Sequence, residues 1–157
     1  MKLISVRRIW EQAAHNAFTD LIAFQEALFC VFREGTAHVS PDGALRILRS
    51  VDGGETWQSV ALIRSDEADL RDGKLIEYQG ELLLLGGGTL HNKSGLQSHL
   101  WRSADGRVWS DALKIADKGY WLWRLTEHQN TLYGVGYRPG PDGDTRLYKS
   151  EDGVQFK

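Results

Sequence analysis

The sequence predicts an all-β fold made of a repeated four-stranded antiparallel unit, and three observations predict it. The tract Ser50-Val51-Asp52-Gly53-Gly54-Glu55-Thr56-Trp57 returns as Ser103-Ala104-Asp105-Gly106-Arg107-Val108-Trp109 and again as Ser150-Glu151-Asp152-Gly153-Val154-Gln155-Phe156. A second marker, a turn centred on Gln, precedes each tract: Phe24-Gln25-Glu26, Tyr78-Gln79-Gly80 and His128-Gln129-Asn130, each leading into an apolar run. The glutamines lie 54 and 50 positions apart and the tract aspartates 53 and 47, so two independent markers agree on one period. A period near fifty filled with short strands is that of a propeller blade. The predicted architecture is a β-propeller segment of three four-stranded antiparallel blades per chain, half of a six-bladed propeller.

Each element has a local reason. Asp followed by Gly favours a tight turn in which the carboxylate accepts backbone N–H groups and Gly supplies a positive φ. A closing aromatic packs the turn down, so Ser50, Asp52, Gly54 and Trp57, then Ser103, Asp105 and Trp109, then Ser150, Asp152 and Phe156, are assigned structural roles. Before each turn, Arg46-Ile47-Leu48-Arg49, His99-Leu100-Trp101-Arg102 and Arg146-Leu147-Tyr148-Lys149 repeat one strand template. The strands fall at residues 21–24, 28–32, 44–49 and 57–63 in the first unit, and at 74–78, 82–85, 98–102 and 109–115 in the second. The third has 123–127, 132–136 and 145–149. The units span residues 17–63, 70–116 and 120–157 of a single segment. Gly86-Gly87-Gly88 and Arg138-Pro139-Gly140-Pro141-Asp142-Gly143 read as loops within them.

The third unit lacks an outer strand. Residues 3–9 begin 22 positions before Gln25, as residues 57–63 begin 22 before Gln79, which makes the N-terminal strand a candidate to fill the gap. Propellers have about four to eight blades, so three do not close a ring. Either a homodimer completes six blades by terminal strand exchange, or the chain is half of a longer protein.

Composition narrows the function classes. A formal net charge of −2 over 157 residues argues against nucleic acid or an anionic membrane as partner. No apolar run is long enough to span a bilayer, and none resembles the core of a signal peptide, which gives a cytoplasmic location by default. The single Cys30, inside Leu28-Phe29-Cys30-Val31-Phe32, reads as a buried structural thiol. No tight His or Cys spacing suggests a metal, and no phosphate or dinucleotide fingerprint suggests a cofactor.

Antiparallel strands alternate direction, so the Gln turns and Asp tracts share one end of the fold and the remaining connections share the other. That second end collects His15, Asn16, Asp20, Arg71, Asp72, Trp121, Trp123 and Arg124 at strand entries. Its loops add Arg33, Glu34, His38, His91, Asn92, Tyr137 and Arg138. Cations, carboxylates and aromatic rings in one place suit a glycan, whose hydroxyls need hydrogen bonds and whose C–H faces stack on rings.

The three tracts resemble the Asp box, or BNR repeat, of the sialidase superfamily of β-propellers, over nearly the whole chain. The segments His15-Asn16-Ala17-Phe18-Thr19-Asp20, Asp69-Leu70-Arg71-Asp72 and Tyr120-Trp121-Leu122-Trp123-Arg124 are similar to those of bacterial sialidase-like glycoside hydrolases. The resemblance implies an active site at the end opposite the Asp boxes, with arginines clamping a sugar carboxylate. Arg33 resembles the family arginine that ends a second strand, and His38 lies in the loop where an acid/base residue is expected. The family's Arg-Ile-Pro motif is replaced here by Ala17-Phe18-Thr19-Asp20. The expected function is a sialidase-like glycoside hydrolase acting on a terminal, acidic sugar. Glu34 and His38 would handle protons, and Asp20, Arg33, Arg71, Asp72, Trp121, Trp123, Arg124 and Tyr137 would bind substrate. The alternatives are a non-catalytic glycan-binding propeller and an inactive half-propeller.

Overall fold

A computed structural model describes residues 2–157. Eleven strands follow one another without a helix among these residues: β1 (His15–Phe24), β2 (Ala27–Gly35), β3 (Ala44–Ser50), β4 (Gln58–Ile63), β5 (Ala68–Tyr78), β6 (Glu81–Leu90), β7 (Leu96–Ser103), β8 (Leu113–Ile115), β9 (Trp121–His128), β10 (Thr131–Tyr137) and β11 (Thr145–Ser150). They form three antiparallel meanders, β1-β2-β3-β4, β5-β6-β7-β8 and β9-β10-β11. Each Gln marker makes the two-residue hairpin between the first and second strands. At Gln79-Gly80 and Gln129-Asn130 both residues have positive φ, the geometry whose twist matches the flanking strands.

The sheets stack face to face. Phe29, Val31, Leu45 and Ile47 of the first sheet meet Leu70, Leu75, Leu84 and Trp101 of the second. Leu83, Leu85 and Leu100, on the opposite face of the second sheet, meet Leu122, Leu125 and Tyr148 of the third. The second sheet is therefore buried on both faces, which explains why Leu82-Leu83-Leu84-Leu85 is a continuous apolar run rather than an alternating one. Polar ties lock the sheets at the turn end: Gln25 Nε2 donates to the Ala104 carbonyl, and the Tyr78 hydroxyl shares its one proton between the carbonyls of Asn130 and Glu151.

The Asp tracts are closed hydrogen-bonded turns. Asp52 accepts from the Ser50 hydroxyl and from both the N–H and the hydroxyl of Thr56, while Ser50 Oγ accepts the Gly54 N–H. Asp105 accepts from the N–H groups of Arg107 and Val108, and Asp152 from those of Val154 and Gln155. Bonds from Thr56 and Ser50 hold the Asp52 carboxyl down at about 2. A depressed folded-state value means that the stabilisation is complete above the ordinary carboxyl range near ~4 and is lost as pH falls through about 2. Asp52→Ala is thus expected to lower Tm at pH 7, and the gap to the unsubstituted protein should shrink as thermal melts are repeated from pH 4 towards pH 2.

Two expectations need correction. Gly86-Gly87-Gly88 is not a loop but the interior of β6. A Cβ on Gly86 would lie 2.8 Å from Leu45, one on Gly87 2.3 Å from the Trp121 ring, and one on Gly88 2.8 Å from Ala68. Gly86 and Gly87 let neighbouring sheets approach closely, while Gly88 makes room for Ala68 on the adjoining strand of its own sheet. Gly87→Ala must displace the buried Trp121 ring, and an overpacking loss of ~1–3 kcal/mol is expected by chemical denaturation.

The strand expected at residues 109–115 shrinks to β8. The Ser110 hydroxyl accepts the Arg102 N–H, taking a rung that a strand carbonyl would otherwise make. Residues 3–9 form no strand within the chain. They lie along the first sheet instead, with Arg7 donating to Glu55 and to the Gly54 carbonyl, and Trp10 packs on the Cys30, Phe32 and Leu48 face.

Candidate functional site

The first strands β1, β5 and β9 lie side by side, and each carries a bulge at the same level. Phe18 and Thr19 oppose the single residue between Val31 and Arg33; Asp72 and Gly73 oppose Gly86; Trp123 and Arg124 oppose Val135. Phe18 and Asp72 hold φ of 60° and 56°. Such bulges re-aim side chains out of the sheet alternation, and here they do so on three adjacent strands.

Asp72 is the central residue of this arrangement. Burial raises its carboxyl above the ordinary range, only partly countered by the charges of Lys74, Arg71 and His38. The Trp121 indole favours the charged form from beside it, yet Trp121 Nε1 closes no hydrogen bond. Arg71 stands over the Trp121 ring with its guanidinium 6.0 Å from the centroid. His38, exposed in the loop after β2, packs edge-on against His15 at 5.4 Å and against Phe18 at 5.2 Å. A second cluster joins three sheets: Asp20 Oδ2 accepts the Leu75 N–H and Oδ1 accepts from Arg124 at 3.0 Å.

The structure distributes the other expected site residues differently. Arg33 is not available as a clamp. It is 0% exposed, donating to the Ala37 carbonyl, to Ser40 and to Asp69 Oδ1 at 2.9 Å. Asp69 also accepts from Arg71. Glu34 is held by the Trp10 indole and by a two-pronged contact from Arg46. It lines a cleft of about 340 Å³ with Gln12, Thr36, Asp42 and Arg64, whereas His38 belongs to the Asp72 group. The two residues expected to share proton transfer therefore sit in different surroundings. Trp123 and Tyr137 pair at 6.1 Å on the uncovered face of the third sheet.

Sequence reasoning missed Asp69, Lys74 and Phe18. Asp69 was visible in Asp69-Leu70-Arg71-Asp72, but nothing local marked it as the counter-charge of an arginine 36 positions earlier. All three expected arginine clamps are already engaged by carboxylates: Arg33 and Arg71 by Asp69, Arg124 by Asp20. Among the described residues no group of three His, Cys, Asp or Glu side chains is placed to hold a metal ion.

No protein-family profile matches the chain, and no curated protein matches it in sequence. Solved structures do match it. An α-L-arabinanase of Penicillium chrysogenum superposes with a TM-score of 0.74 at 17% identity, over 90% of this chain and 48% of that one. The likeness shows a β-propeller-like fold. A protein of unknown function from Dyadobacter fermentans gives 0.73 at 19% identity, over 91% and 53%. A family 117 glycoside hydrolase of Zobellia galactanivorans gives 0.66 at 13%, over 90% and 45%. The chain spans about half the length of these structures.

Proposed function

We propose that this chain contributes the catalytic end of a glycoside hydrolase acting on a neutral sugar, with Asp72 as the proton donor. The observation that supports this reading is the Asp72 carboxyl itself: only 8% exposed, raised by burial and set on a bulge of the middle first strand. A raised carboxyl pKa keeps the acid form to higher pH than an ordinary aspartate does, which favours protonation of a leaving glycosidic oxygen. The glycosidic C–O bond breaks as that proton arrives. His38, whose charge acts on Asp72, would take the proton of the water that adds to the sugar carbon. Arg71 and Trp121 would orient the ring.

The engagement of every expected arginine by a carboxylate argues against an acidic sugar and a sialidase-type clamp. A neutral pentose polymer of the kind named for the arabinanase is the first substrate class to test. The test is release of reducing sugar from arabino-oligosaccharides and aryl arabinosides, with sialosides as the comparison, for the native chain and for Asp72→Asn. Turnover of the arabinosides that disappears in Asp72→Asn supports the proposal. Turnover of sialosides alone, or turnover untouched by the substitution, overturns it, and arabinan binding without turnover favours a glycan-binding propeller.

A further inference from the structure

We propose that the cleft between the β4–β5 link, the β6–β7 hairpin and the turn after β8 is a second sugar-binding site, for a neutral glycan and separate from Asp72. Its volume is about 410 Å³, within the ~300–1,000 Å³ of ligand clefts. Every wall belongs to the second sheet or to the links that enter and leave it, and that sheet has a neighbour on each face. Three backbone hydrogen bonds hold the walls in place: the His91 N–H donates to the Glu67 carbonyl, the Leu90 N–H to that of Gly95, and the Gly119 N–H to that of Leu96. None of the groups that act on Asp72 lines this cleft.

The first sheet has a cleft at the same place, differently filled. Leu28 opposes Ser50 and Leu82 opposes Ser103, so Glu34 aligns with Gly88, Ala44 with Gln97 and Arg46 with His99. By the 54-residue offset of the Gln turns, Gln12 and Ala13 align with Asp66 and Glu67, and each pair lines the cleft of its own sheet. In the first sheet the protein satisfies its own cleft: Glu34 takes up Arg46 and the Trp10 indole. In the second, Gly88 offers no carboxylate, and His99 is 2% exposed with Nδ1 unpartnered among the described residues. Two residues before it, on the same face of β7, Gln97 brings a buried carboxamide to the cleft where the first sheet has only the methyl group of Ala44.

The groups left open in the second cleft alternate between donors and acceptors. Gln97 Nε2 donates to the carbonyls of Ser98 and Ile115, so the carboxamide oxygen is what Gln97 can offer a ligand. Asn92 Oδ1 accepts the Ser94 N–H, which leaves its NH₂ group. His91 Nδ1 faces the Asp66 carbonyl at 3.2 Å. A carbonyl only accepts, so that nitrogen carries the proton and Nε2 of the neutral ring is an acceptor. Lys114 is held by Glu67 at 2.6 Å, whereas Lys118 makes no ion pair among the described residues and adds three donors. With Asp66 and Glu67 set against Lys114 and Lys118, the charge of the lining is balanced. An anionic ligand gains no net attraction there, and an apolar one would strip these groups of water and replace none of it. Neighbouring sugar hydroxyls, each both donor and acceptor, satisfy the set.

Amide NMR spectra of the full chain, titrated to millimolar arabinohexaose, xylohexaose or cellohexaose, test this. Shifts are expected at residues 91–97 and 114–119 with at least one of the three, and they should persist in Asp72→Asn, because the cleft does not rely on the proton donor. Lys118→Ala, at an exposed position, and Gln97→Leu should each weaken that binding by about tenfold, the loss of one hydrogen bond to a charged or buried group. Lys118→Ala decides alone if Gln97→Leu fails to fold. A sulfated disaccharide titrated in parallel should leave these amides unmoved. Silence at these amides with all three hexaoses overturns the proposal, as do shifts that the substitutions leave unchanged or shifts with the sulfated sugar alone. Shifts that vanish in Asp72→Asn belong to the Asp72 site and overturn it too, whereas a chain without hydrolytic activity that still binds here upholds the cleft and sinks only the assignment of Asp72.

Discussion

Asp72→Asn is expected to lower glycoside turnover by ~10²–10⁴-fold, the usual contribution of a positioned acid, while raising Tm. The two effects share one cause. Burial disfavours the charged carboxylate, so the folded-state pKa is raised. For an acid the sign follows directly: below the unfolded value both states carry the proton and nothing is lost. Above the raised folded value the protein bears the full cost of a buried charge. At pH 7, above the ordinary carboxyl range, the raised value costs the native protein stability, and the Asn variant carries no such cost. Asn also tolerates the positive φ of 56° that the bulge imposes, so the backbone need not move. Melts at pH 7 should show the variant more stable, and the difference should close as pH falls through the folded-state pKa of Asp72. In the native protein, kcat/KM should fall as pH rises through the same value. A variant that is inactive and also less stable would mean that Asp72 is a structural group whose loss disturbs the bulge.

Stability gained by deleting a functional carboxyl is a familiar compromise of active sites. Here its residues are traceable. The bulge that strains Asp72 has counterparts at Phe18 and at Trp123-Arg124, but only the middle strand puts a carboxylate there.

The parts of the fold legible in the sequence were those set by local chemistry. The Ser-x-Asp turns recur because a carboxylate beside successive N–H groups needs only neighbouring residues, and the Gln hairpins recur because a two-residue loop fixes its own geometry. Both signals are short-range, so repetition exposed the period and the three strand groups. Gly86-Gly87-Gly88 was misread because a glycine triplet in isolation looks like a loop. Its reason lies in Leu45 and Trp121, which come from two other sheets. The site was legible only as a list of residues at one end. Which carboxylate remains unengaged depends on pairs such as Arg33 with Asp69 and Asp20 with Arg124, separated by 36 and 104 positions. No local pattern records such pairs.

Arg33→Ala should lower stability by ~3–5 kcal/mol, the cost of stranding one partner of a buried ion pair, and Tm by on the order of 10 °C for a chain of this size. Its side chain is 0% exposed and that of Asp69 6%, so water screens neither. The loop from Gly35 to Gly43 is wrapped on the guanidinium: a Cβ on Gly35 would stand 2.7 Å from Nη1, and one on Gly43 1.8 Å from Asp69 Oδ1. Removing the guanidinium therefore also strips hydrogen bonds from the Ala37 carbonyl and Ser40, and with them the support of His38. A substrate clamp would behave oppositely, with an unchanged melt and a raised KM. The double variant Arg33→Ala, Asp69→Ala separates the pair from its surroundings. Because Asp69 is no longer left charged without its main partner, the double loss should be smaller than the sum of the single losses. Arg71, which also relies on Asp69, should then keep part of the deficit. Additive losses would mean that the two side chains act independently, and an unchanged Tm for Arg33→Ala would return Arg33 to the substrate.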